Sequence, residues 1–78
     1  MTVRLFVKPF CPWCREAEAW LGARNVPFES LDVTGDRNAA REMVALSGQT
    51  KVPVMDVDGQ ILADFDTRQL EEFWKKIK

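Results

Sequence analysis

The sequence has no histidine and only two cysteines, and none of it approaches the roughly 20 consecutive apolar residues that cross a membrane as a helix. Each lack removes a class of function. Without an imidazole the commonest general base is missing, which excludes a Cys-His hydrolase, and so is the commonest metal ligand. Two cysteines, Cys11 and Cys14, cannot make the framework of several bridges on which small secreted domains rely. Neither charge is in excess: 11 Lys and Arg face 12 Asp and Glu, a net charge of -1, with the signs interspersed along the chain. That balance gives nucleic acid no basic footprint. The stretch from Met1 to Lys8 is too short and too broken by charge for a signal peptide, so a soluble protein of the cytoplasm is expected.

What is present is a strong core-forming set. The 78 residues, 46% of them apolar, include three Trp and five Phe, enough to bury a core without a metal or several disulfides. A chain of this length predicts one domain over 1–78, expected as a monomer, and one site must then carry the function.

The pattern along the chain alternates in type. Val3 to Val7 is an apolar run that stops at Lys8-Pro9, as a buried strand does. Pro12 suits the first position of a helix, where its missing N–H is not needed, and good helix formers continue to Arg24-Asn25 before Pro27 bars the way. Phe28 to Val33 predicts a second strand, and Thr34-Gly35-Asp36 a turn with a helix cap. The helix that follows has Ala40, Met43, Val44 and Ser47 at three-and-four spacing and Gly48 as its stop. Val52 to Val57 and Gln60 to Ala63 flank Asp58-Gly59, a hairpin signal. Asp66 with Gln69 three residues on is a capping-box pattern, after which Leu70, Phe73, Trp74 and Ile77 mark one helix face and Lys75, Lys76 and Lys78 suit its C-terminal dipole. Trp20 and Trp74 are expected in the core.

The chemistry lies with the cysteines. A thiol attacks as its thiolate, and Cys11 sits at the predicted N-cap, where unpaired backbone N–H groups and the helix dipole favour an anion. Its pKa is expected below the reference of roughly 8.5. Cys14, one turn on, shares a face with Ala17 and Leu21 and should be sheltered, which makes Cys11 the expected nucleophile and Cys14 the resolving thiol. Two other readings of the pair stand beside this one. It is half of a zinc site, which a dimer or carboxylates would have to complete, since zinc takes four ligands; or it is two buried structural thiols.

Cys11-Pro12-Trp13-Cys14 after a strand, then Val52-Pro53 before a hairpin that contains Gly59, resembles the glutaredoxin family over nearly the whole chain. The resemblance implies an α/β minimal thioredoxin fold, a four-stranded mixed sheet in the order 2-1-3-4 flanked by three helices. It implies a thiol-disulfide oxidoreductase with catalytic Cys11 and Cys14, no tightly bound cofactor and no metal, and glutathione as co-substrate. The proline matching Pro53 is cis in that family, leaving the backbone of Val52 free to pair with glutathione or an extended peptide. Lys8, Pro12, Trp13, Lys51, Val52, Pro53, Asp66 and Thr67 would line that groove. Three positions depart from the family pattern: Lys51 replaces a usual Thr, Ala63-Asp64 a Gly-Gly pair, and the aspartate opening the last helix stands first, at Asp66, rather than second, at Thr67. They keep an alternative open, a glutathione-independent redoxin reduced by thioredoxin reductase that passes electrons to an enzyme such as ribonucleotide reductase. A cluster- or metal-binding module is the remaining expectation of a different class. Disulfide-bearing proteins are the expected substrates under both redox readings.

Overall fold

The computed structural model describes residues 1–77, so the expectation for Lys78 lies outside the described residues. In chain order the elements are β1 (Val3–Val7), α1 (Pro12–Ala23), β2 (Glu29–Asp32), α2 (Arg37–Ser47), β3 (Val54–Val57), β4 (Gln60–Ala63) and α3 (Thr67–Ile77). The strands form one sheet in the order β2-β1-β3-β4, with β1 parallel to β2 and the other pairs antiparallel. This is the expected fold, a mixed four-stranded sheet with helices on both faces.

Alternation along the strands builds two cores, one on each side. Val3, Leu5 and Val7 of β1 join Met55 and Val57 of β3 on one face, under Cys14, Ala17 and Leu21 of α1 and Leu70 and Trp74 of α3. Phe6 and Val54 turn the other way, onto Ala39 and Met43 of α2. Trp74 is buried as expected, whereas Trp20 stands half-buried at the rim, edge-on to Trp74 with ring centroids 5.6 Å apart. The Arg24 guanidinium lies 3.7 Å from the centroid of the Trp20 ring and bonds Glu71 of α3 at 3.2 Å, covering the seam between the two helices.

The turns follow their residues. Asp58 and Gly59 take φ of 51° and 92°, as a two-residue hairpin loop between Val57 and Gln60 requires. Asp36 caps α2 by accepting from the N–H groups of Asn38 and Ala39, and Gly48 ends it at φ 71°. The Asp66 carboxylate accepts from Gln69 N at 2.9 Å while Gln69 Oε1 accepts from Asp66 N at 3.0 Å, the reciprocal capping box.

Three further expectations need correction. The inner face of α2 is set by Ala39 and Met43, with Ala40 and Ser47 at its margins, while Val44 is 42% exposed. The cap at Asp36 fixes where the helix begins and so its phase; Val44, one residue past Met43, is rotated about 100° from the contact. The second strand is shorter than Phe28 to Val33, although Val33 N still donates to Val7 O at 3.0 Å. The third begins at Val54, because Pro53 has no N–H to give the ladder and follows a cis bond.

One charged cluster clips the polar end of the sheet. Arg4, the only β1 residue that is not buried, donates through Nη2 to Asp56 Oδ2 at 2.6 Å and to Glu42 Oε2 of α2 at 2.8 Å. Asp56 is the one buried charged residue among those described, and its other oxygen accepts from Gly59 N in the hairpin turn. Glu42, and after it Asp56, hold the Arg4 guanidinium above its ordinary pKa, so it stays charged at every working pH. Asp56→Ala is expected to lower the unfolding free energy by about 2–4 kcal/mol, measured by urea denaturation, because it strips both the turn and the guanidinium of an acceptor. A change within about 0.5 kcal/mol would mean that Glu42 alone satisfies Arg4.

Candidate active site

Sheet register brings the site together. Phe6 lies opposite Val54, so the antiparallel run carries Val52 alongside Lys8, at the end of β1 from which the chain enters α1. Ala63 lies opposite Val54 on the other side, and Asp64 N donates to Pro53 O at 2.9 Å, which draws the start of α3 to the same end. Lys8, the Cys11–Cys14 turn, Lys51-Val52-Pro53 and Asp66-Thr67 therefore converge from four stretches of chain at one end of the sheet.

Cys11 is the N-cap of α1, with extended backbone (φ -104°, ψ 105°), and Pro12 opens the helix. The cysteine Sγ accepts from Cys14 N at 3.2 Å, and its carbonyl accepts from Arg15 N at 3.1 Å. A helix start leaves its first N–H groups without partners; here proline removes one and sulfur takes another. The pair is joined as a disulfide with Cα atoms 5.2 Å apart. The two sulfurs differ in access. Cys14 is fully buried beside Ala17 and Leu21, while Cys11 is half-buried at the edge of the same core. The Cys14 N–H is thus placed to donate to the Cys11 sulfur, and a bond of this kind to a charged sulfur is stronger than one to a neutral sulfur.

The other expected site residues take distinct places. The Val52–Pro53 bond is cis and Pro53 is buried. Val52 packs half-buried against both cores, yet among the described residues neither its N–H nor its C=O is hydrogen-bonded within the chain. Lys51 is exposed, and Lys8 half-buried; among the described residues neither makes an ion pair. Trp13 is 55% exposed. Asp66 gives one carboxylate oxygen to the capping box, and Thr67 begins α3 half-buried. At the far side of β1, Asp32 opposite Val7 is held below the usual carboxylate range, first by the Thr34 hydroxyl and then by its N–H.

Two residues at this end escaped the sequence patterns. The Gln49 side chain bonds Lys51 at both backbone groups, donating from Nε2 to the carbonyl at 3.0 Å and accepting the Lys51 N–H at Oε1, and so sets the approach to Val52. Phe10, just before the nucleophile candidate, is 100% exposed at φ 59°. An apolar residue lying outside both periodic runs, between Pro9 and Cys11, was the signal for the second; the first had none.

Comparison with known proteins bears on this arrangement. The glutaredoxin family model matches residues 3–62, from β1 through the cysteine turn and the cis proline into β4. This chain belongs to the glutaredoxin family. A glutaredoxin-like 8.6 kDa protein in the rubredoxin operon of Clostridium pasteurianum is 31% identical over 74 residues, covering 95% of this chain and 99% of its own. Glutaredoxin 3 of Escherichia coli is 34% identical over 64 residues, 82% of this chain and 77% of the relative. Among solved structures, a thioredoxin-like protein, BC3987, superposes with a TM-score of 0.83 at 25% identity, over 91% of this chain and 97% of the other. The family and the cysteine pair make this glutaredoxin a thiol-disulfide oxidoreductase.

The exposure difference predicts selective chemistry. Iodoacetamide added to the reduced protein near pH 7 is expected to modify one thiol per chain, with peptide mapping placing the label on Cys11. Equal labelling of Cys14 in the folded protein would refute the shelter that the geometry gives it.

Proposed function

We propose that this glutaredoxin reduces protein disulfides and glutathione mixed disulfides through Cys11 and Cys14, and that glutathione returns it to the dithiol. The observation that carries the reading is an accessible sulfur at a helix N-terminus, backed by a buried second sulfur and flanked by the unpaired backbone of Val52. In the first step the Cys11 thiolate attacks one sulfur of the substrate disulfide. A bond forms between Cys11 and that sulfur, and the other substrate sulfur leaves as a thiolate and takes a proton. Cys14, as its thiolate, then attacks Cys11, releasing the second substrate thiol and closing the Cys11–Cys14 disulfide. Two electrons have passed from protein to substrate. Two glutathione thiols reopen the bond, and they leave joined as glutathione disulfide.

Binding follows the same logic. Glutathione is an extended peptide, and its backbone can pair with the free N–H and C=O of Val52 as an added strand pairs with an edge. Lys8 and Lys51, without ion pairs among the described residues, are free to meet its carboxylates, and Trp13, Pro12 and Pro53 supply the apolar walls. At the start of α3 the capping box occupies the N–H groups of Asp66 and Gln69, and those of Thr67 and Arg68 are left to face an anionic end. Kinship with Escherichia coli Glutaredoxin 3 supports the coupling to glutathione. The reading includes a monomer in a reducing, cytoplasmic setting, where the dithiol can be restored.

A second reading is favoured by Asp64. It stands in the turn bonded to Pro53, at φ 53°, and brings a carboxylate to the groove where glutathione carries carboxylates of its own. Reduction by thioredoxin reductase, with delivery to an enzyme such as ribonucleotide reductase, avoids that repulsion.

Oxidised protein offered glutathione with glutathione reductase and NADPH, or thioredoxin reductase with NADPH, separates the two donors. The first system is expected to reduce it faster; reduction by the second alone would sink the glutathione reading. Substitution assigns the sulfurs. Cys11→Ser should bring every disulfide reduction down to background, whereas Cys14→Ser should still turn over a glutathione mixed disulfide while trapping protein substrates as mixed disulfides seen by mass spectrometry. The reverse pattern would exchange the two roles.

A further inference from the structure

Phe10 breaks two rules of folding at once. Its side chain is entirely exposed, and its backbone lies at φ 59°, a region that a bulky aromatic residue seldom enters. Neither feature stabilises the fold: the ring buries nothing, and the left-handed backbone costs energy that glycine or asparagine would largely avoid. Of the other exposed large apolar residues, Met1, Val44 and Leu46 lie away from the cysteines, on the chain end and on α2. Phe10 instead precedes Cys11 directly, and the 55% exposed Trp13 follows it by two residues. The accessible sulfur is thus bracketed by two aromatic rings facing solvent.

We propose that Phe10 is a specificity-determining residue for protein disulfides, selecting substrates that carry an apolar side chain next to the reacting cysteine. The argument rests on the disulfide-exchange reading, and the reaction itself fixes the occupant. In the mixed disulfide the substrate sulfur is bonded to Cys11, and successive Cα atoms are about 3.8 Å apart, so the residue beside the substrate cysteine comes within reach of the rings that flank Cys11. An apolar side chain there takes part of an exposed ring out of water, and a glycine or serine does not. The ring already faces solvent, so an incoming chain meets it without rearrangement. Interfaces draw much of their selectivity from such aromatic anchors.

The test uses two peptide disulfides, identical except for Leu or Ser on both sides of each cysteine, with dithiothreitol as the reductant so that the natural donor plays no part. The readout is the ratio of kcat/KM for the Leu peptide over the Ser peptide. Phe10→Asn, which tolerates the left-handed backbone but removes the ring, is expected to lower that ratio about tenfold, the scale of one partly buried aromatic contact. Phe10→Trp should keep it, and the thermal midpoint of Phe10→Asn should match or exceed that of the parent. An unchanged ratio in Phe10→Asn, an equal loss in Phe10→Trp, or a destabilised Phe10→Asn protein would each overturn the inference. A parent protein that reduces neither peptide would overturn the exchange reading itself, and this inference with it.

Discussion

The first turn of α1 begins with more backbone donors than the helix can use, and the rest of the site is arranged around how that surplus is met. Proline at 12 removes one donor, and the sulfur of Cys11 accepts another from Cys14. The same atom thus serves as cap and as reactive group. Structure and chemistry ask for the same thing here, a concentration of electron density at the helix start, so a thiolate at this point is accommodated by bonds that the fold already needs.

β1 makes the arrangement rigid. It is buried on both faces, bonded to β2 on one side and β3 on the other, and its end feeds directly into the cysteine turn. The cis proline is delivered to that end by strand register alone, and the Asp64–Pro53 bond ties the third contributor, the turn before α3, to the second. Away from the sulfurs, Arg4 with Glu42 and Asp56 fastens α2 and the hairpin at the opposite end of the same two strands. The reacting end is left to loops, the other end to charge.

Much of this was legible in the sequence because punctuation residues act locally. Pro12, Asp36, Gly48, Asp58-Gly59 and the Asp66/Gln69 pair each impose a conformation on their own neighbours, and each does so where expected. What the sequence hid depends on distant contacts or on the absence of any. The phase of α2 was misplaced toward Val44 because periodicity shows that a face exists, while the cap at Asp36 and the contact with Phe6 and Val54 decide which residues form it. Val52 reads as strand by composition and lies outside one because the next residue has no N–H. The cysteine pair announced itself by spacing and by the proline between; the side-chain clasp of Gln49 on Lys51 belongs to an irregular loop, where no period exists to be read.

β2 lies at an open edge of the sheet, and its sequence is Glu29-Ser30-Leu31-Asp32, four residues with a carboxylate at each end. An open edge strand offers its unpaired backbone groups to any chain that can lie alongside it and anneal. A short border with negative charge at both limits is a poor template for such annealing. This rim acts as a fence along one flank of the molecule, turning away a strand that the sheet would otherwise take on.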